Sequence, residues 1–177
     1  MATSGPVCID SNALTYLAEA MTNGGCPTGD VAAEKLALLR IYFYRSDVLY
    51  LSQTVDLEYQ RIKDETRKLY HKQIVDILLR EIQPVDCNAI EAKTAEYLAH
   101  HRKQEDCRVL SECELGGGVV LLTYDQDFLK KLRGRTQKIE LCTPSEFWSR
   151  LAIPKGTRPV TSPHPSNPLS KEVWWAW

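Results

Sequence analysis

The stretch from Gly116 to Phe128 constrains this chain more than any other. Val119-Val120-Leu121-Leu122 is a continuous apolar run, β-branched at its start and entered through Gly116-Gly117-Gly118. It reads as a strand buried on both faces of a parallel sheet. The strand then stops in acid: Asp125 and Asp127 fall just past its carboxyl end. Open α/β sheets hold their ligands there, in the crevice where the strand order switches direction.

The rest of the chain alternates in the same way. Pro6-Val7-Cys8-Ile9 is a short apolar run that meets Asp10, and Leu14, Leu17 and Ala18 then recur at helical spacing. After a loop over Thr22 to Gly29, Asp30 is expected to cap a helix carrying Leu36, Leu38, Leu39 and Phe43. A second strand follows at residues 47–52. The pattern is helical from Thr54 to Ile82 with a break or two, and Pro84-Val85 is the expected third strand. Asn88 is read as the cap of the next helix, with Glu91 closing the box, and another helix spans Gln104 to Leu115. Beyond Phe128 a short basic helix leads to a strand over 138–142. Thr143-Pro144-Ser145-Glu146 then opens a last helix that ends near Leu151. Strand alternating with helix implies a parallel sheet covered on both faces.

One folded domain is expected over residues 1–151 and a proline-rich tail over 152–177, because five of the nine prolines lie there. The tail is expected to be extended or disordered up to Trp174-Trp175-Ala176-Trp177. That cluster either folds back on its own domain or on a partner subunit, or docks another protein. Apolar content of 44% and charged content of 25% are ordinary for a globular domain. No apolar run approaches the ~20 residues of a membrane span, and Met1 to Ile9 lacks a secretory pattern, so a cytoplasmic protein with no membrane partner is expected. The six cysteines show no C-x-x-C pair and read as reduced, mostly buried thiols. A formal charge of −1 gives no overall basic field, so a polyanion must be held by a local patch or by metal ions.

Two further acids break the patterning of their helices. Asp106 precedes Val109, Leu110 and Cys113 by three, four and seven residues, on an inward stripe, whereas Glu105 faces outward. Glu58 shares a face with Val55 and Ile62. Among 23 Asp and Glu each acid alone is more readily a cap or a surface group, but two at strand ends and two on inward faces all reach one crevice. Like charges at ~4 Å repel by about 4 kcal/mol at an effective dielectric of about 20, so such a cluster calls for cations or shared protons. Oxygen donors alone select a hard ion, Mg²⁺ or Mn²⁺. No G-x-S-x-G is present, and the four histidines (His71, His100, His101, His164) are expected to lie away from the strand ends.

Taken together, Cys8-Ile9-Asp10-Ser11-Asn12-Ala13-Leu14, Thr54-Val55-Asp56-Leu57-Glu58, Glu105-Asp106-Cys107-Arg108-Val109-Leu110 and Leu122-Thr123-Tyr124-Asp125-Gln126-Asp127-Phe128 resemble the motifs of the PIN-domain ribonucleases. The likeness is greatest to the VapC-type toxins of bacterial toxin–antitoxin pairs, and it spans roughly Val7 to Trp148. It implies a three-layer α/β/α fold with a five-stranded parallel sheet of order 3-2-1-4-5. It also implies Mg²⁺ or Mn²⁺ held by Asp10, Glu58, Asp106 and Asp125, with Asn12 and Thr123 in support, and cleavage of single-stranded RNA. Homodimerisation and neutralisation by an antitoxin protein follow from the same likeness. Asp127 is either a fifth acid or, the reading taken here, the cap of the helix at Phe128. Arg61, Lys63, Arg67, Lys68 and His71 on one side, with Lys130, Lys131, Arg133 and Arg135 on the other, either line an RNA path or form solvated faces. A catalytically idle PIN-like module that binds RNA or protein is the alternative. A phosphatase of the haloacid dehalogenase type fits less well, because Asn12 stands where that family needs a second Asp.

Overall fold

The computed structural model describes residues 5–45 and 49–177. Its core is a five-stranded, all-parallel sheet of order β3-β2-β1-β4-β5, the order expected from the resemblance. The strands are β1 (Val7–Ile9), β2 (Leu49–Leu51), β3 (Leu79–Glu81), β4 (Val120–Leu122) and β5 (Glu140–Cys142). The chain builds outward from β1 to β3 and then crosses to the other side of β1 for β4 and β5. Cys8 therefore pairs with Tyr50 on one side and with Leu121 on the other. Every residue of β1 and β4 is fully buried, as a strand covered on both faces requires.

The helices are α1 (Ser11–Asn23), α2 (Ala32–Tyr44), α3 (Gln53–Gln60), α4 (Glu65–Leu78), α5 (Cys87–Leu98), α6 (Gln104–Leu115), α7 (Gln126–Leu132) and α8 (Pro144–Leu151). Helix α2 packs between α1 and α8, and α6 between α3 and α5. Helix α8 has the expected capping box, Thr143 with Glu146, and proline in its first turn. The triple glycine after α6 is explained by crowding. A Cβ at Gly116 would stand 2.9 Å from the Gln83 and Glu112 carbonyl oxygens, one at Gly118 would stand 2.7 Å from that of Cys113, and Gly117 has φ of 89°.

Several boundaries differ from the sequence reading. The third strand is Leu79–Glu81 and follows α4 directly, while Pro84-Val85 lies in coil. Ile77-Leu78-Leu79 suits either a helix or a strand, and only pairing with β2, Leu49 to Leu79 and Leu51 to Glu81, decides it. Helix α2 is preceded by Val31 at the cap position, which has no side-chain cap bond, in place of Asp30. Helix α5 is capped by Asp86, which accepts from Ala89 N at 3.0 Å, in place of Asn88. Residues 47 and 48 of the expected second strand lie outside the described residues.

The tail lies on the domain it follows. The Val160 and Thr161 amides donate to the Phe43 carbonyl at 2.8 and 3.1 Å, and Asn167 Nδ2 donates to Met21 O at 3.0 Å. Arg40 reaches the carbonyls of Trp175 and Ala176. A short 3-10 helix at Pro168–Lys171 seats Leu169, which is fully buried, and the Trp175 ring lies 4.6 Å from that of Phe43. The segment is therefore ordered well before Trp174, because Leu169 and the tryptophans supply enough apolar surface to anchor a proline-rich backbone. Gly24, with φ of 66°, closes α1 where a Cβ would stand 2.7 Å from Pro168 Cβ. Among the described residues no helix is long and apolar enough to cross a membrane. All six cysteines are free, and Cys8, Cys107, Cys113 and Cys142 are buried.

Candidate active site

The two central strands present their acids at the switch point. Asp10 follows β1, where its amide donates to Leu122 O at 3.2 Å and its Oδ1 caps α1 by accepting from Ala13 N at 2.7 Å. Thr123 follows β4, its amide bonded to Cys142 O at 3.1 Å. Its hydroxyl accepts from Asp125 N at 3.1 Å, and Asp125 Oδ1 in turn caps α7 through Phe128 N at 3.0 Å. Glu58, one turn into α3, accepts from the Ser11 hydroxyl. Asp106 stands in the first turn of α6. Asp10, Glu58, Asp106 and Asp125, together with Asn12 and Thr123, line one cavity of about 180 Å³. Four acids spread over more than a hundred positions of sequence meet because the strand order reverses between β1 and β4.

The cavity is short of positive charge on one side. Asp10 opens onto the cavity and is otherwise encased by protein. Burial pushes its pKa up to about 6, the negative charges of Asp106 and Asp125 add to the rise, and hydrogen bonds from Thr123 and Ala13 oppose it. Glu58 is also raised, by burial first and then by Glu105 and Asp106, against the Ser11 hydroxyl and Arg61. Asp125 is held below its ordinary value: burial would raise it, but the Lys103 ammonium and the Phe128 amide outweigh that. Lys103 Nζ lies 2.6 Å from Asp125 Oδ2 and 3.4 Å from Asp106 Oδ2. His101, 1% exposed, places Nε2 at 2.9 Å from Asp106 Oδ2 and its ring edge-to-face on Phe128.

His101 and Lys103 are the site residues that sequence reasoning missed. The histidines were expected away from the strand ends, but the α5–α6 turn brings His101 onto Asp106. A signal for Lys103 was present: it stands three residues before Asp106, at the cap position of α6, a spacing at which side chains meet. Asp127 corrects a second expectation. It lies in the first turn of α7, the cap being Asp125, and it pairs with Lys131 Nζ at 2.7 Å, outside the cavity lining.

The expected basic rows are largely engaged. Arg61 approaches Glu105 at 3.9 Å, Arg67 approaches Glu19 at 3.7 Å, and Arg133 forms a fork on Glu146. Arg135 Nε donates to Lys131 O at 3.0 Å. His71 belongs to no surface path: it is buried, stacked on Tyr59 and bonded to Thr15 Oγ1 and Arg67 O. Lys63 and Lys130 are exposed, and Lys68 is half-buried. Two buried acids of α6 are structural. Glu112 accepts from the Thr54 amide and hydroxyl at 2.9 and 2.8 Å, and Glu114 accepts from Tyr97 OH and from the Gln137 and Lys138 amides.

The donors fit a hard divalent ion in kind, being carboxylate and hydroxyl oxygens around an under-neutralised, half-buried Asp10. Yet among the described residues no three His, Cys, Asp or Glu side chains converge as a ready ligand group. Lys103 stands between two of the acids. No protein-family model matches the chain, and no curated protein matches it significantly.

Proposed function

We propose that the protein is a Mg²⁺- or Mn²⁺-dependent endoribonuclease that hydrolyses phosphodiester bonds of single-stranded RNA. The observation that carries this reading is the gathering of Asp10, Glu58, Asp106 and Asp125 around one cavity at the sheet's switch point. Asp10 and Glu58 are the residues that would hold the ion, with Asn12 and Thr123 beside them, and Asp106 and Asp125 would join them where the Lys103 ammonium gives way. A bound divalent ion acidifies a water and neutralises charge that builds on a phosphoryl group. The chain's own part is to shape the pocket. Thr123 and the Ala13 amide orient Asp10, Ser11 orients Glu58, and Val109, Leu121 and Phe128 form the apolar wall that limits water. On the motif resemblance alone, the same reading extends to a cytoplasmic, dimeric toxin with a small antitoxin partner.

The test is cleavage of single-stranded RNA by the purified chain in Mg²⁺, compared with Asp10→Asn and with EDTA. Loss of cleavage by at least ~100-fold in both is expected. An Asp10→Asn variant as fast as the parent would end the assignment. A second reading, an idle module that binds RNA or protein, is favoured by one observation: Lys103 already neutralises Asp106 and Asp125. It predicts RNA binding that neither EDTA nor Asp10→Asn changes, with no cleavage.

A further inference from the structure

The two halves of the acidic cavity differ in how their charge is balanced. On one side Asp106 and Asp125 share the Lys103 ammonium, at 3.4 and 2.6 Å, and Asp106 also touches His101. On the other side, among the described residues, no cation stands within ion-pair distance of the Asp10 or Glu58 carboxylate. Those two receive only hydroxyl and amide donors, and Arg61, whose charge acts on Glu58 from a distance, makes its ion pair with Glu105 at 3.9 Å.

Lys103 suits a displaceable cation. Its backbone is fixed at the start of α6, but 60% of its side chain is exposed, so the ammonium sits on a long flexible stem that water can reach. A hard divalent ion binding between Asp106 and Asp125 needs the same oxygens that Lys103 occupies, and two cations cannot share that space at small cost.

We propose that Lys103 is a built-in counter-ion: its ammonium holds the place of a second divalent cation between Asp106 and Asp125 and limits the resting centre to one ion, on the Asp10 and Glu58 side. This rests on the metal-dependent reading above. It makes Lys103 a determinant of how many ions the centre takes.

The experiment titrates Mn²⁺ into the metal-stripped full chain, with calorimetry for affinity and the electron paramagnetic resonance of free Mn²⁺ for stoichiometry. The wild type, Lys103→Met, Lys103→Arg and Arg61→Met are compared after circular dichroism shows each to be folded. The wild type and Lys103→Arg are expected to bind one ion. Lys103→Met is expected to bind two, or one at least about tenfold tighter, while Arg61→Met, which loses the same formal charge at the rim, stays within about threefold of wild type. Lys103→Gln is read in the same way if Lys103→Met does not fold. Equal stoichiometry and affinity in wild type and Lys103→Met overturn the inference and leave the metal reading standing, as do two ions in the wild type. Absence of Mn²⁺ binding in every variant removes the metal reading and the inference together.

Discussion

Replacing Asp10 by asparagine should separate stability from activity, with a sign opposite to that of most buried substitutions. The carboxyl faces the cavity with protein around the rest of it, and its pKa stands at about 6 against an ordinary value of 3.8. A carboxyl raised in the folded state favours folding while protonated: the contribution is fully present below about pH 4 and is lost as pH rises through about 6. A rise of roughly two pH units corresponds to about 3 kcal/mol withheld from the fold at pH 7.5. Asparagine removes the charge and still accepts from the Ala13 amide, since it caps helices as well as aspartate does. Its new amide donors lose about 1 kcal/mol where they find no partner. The net expectation is a gain of about 1–2 kcal/mol at pH 7.5, and a change near zero or slightly unfavourable at pH 4. For a chain of this size that is a rise in Tm of roughly 2–8 °C. The assay is thermal unfolding followed by circular dichroism in EDTA, for parent and variant, between pH 4 and pH 7.5. A variant less stable than the parent at pH 7.5, or a difference that does not change with pH, refutes the reasoning.

Two other perturbations probe the scaffold. Burial would raise the Glu114 carboxyl, but Tyr97, the Lys138 and Gln137 amides and Lys93 hold it below its ordinary value. It therefore contributes stability above about pH 4.5 that is lost as pH falls through the lower folded value. Glu114→Gln should cost roughly 1–3 kcal/mol at pH 7 and progressively less as pH falls below about 4.5, which urea midpoints across that range will measure. Trp175→Ala removes a buried ring packed at a tilt against Phe43, together with an indole bond to Leu169 O at 3.1 Å. It should cost about 3–5 kcal/mol while leaving the proposed RNA cleavage per folded molecule unchanged, because the cavity is lined by residues 10 to 128. A stability loss below ~1 kcal/mol would show that the tail is not anchored as described.

What was legible in the amino-acid order was local or strongly periodic. The bounds of α6 and α8 were readable because a cap, a box and a terminating glycine act within one helical turn. Strands β1 and β4 were readable because a run buried on both faces needs no alternation. Asp10, Glu58, Asp106 and Asp125 were legible as a set because acids at strand ends or on apolar stripes need a common reason to be there. The misses share a cause. Leu79 is strand rather than helix only because β2 offers it an edge. Glu112 and Glu114 look like ordinary helix-surface acids until Thr54, Tyr97 and the amides before β5 close over them.

The sequence by itself determined the alternation of strand and helix, the residues at the ends of the central strands and the apolar faces that bury them, because each depends on neighbours within a few positions. Only the tertiary structure decided the rest. It laid the tryptophan-bearing tail on α1 and α2, turned His101 inward and placed the Lys103 ammonium between two carboxylates. Those choices depend on which surfaces meet once the sheet has closed. Contacts made across the fold leave no periodic trace along the chain.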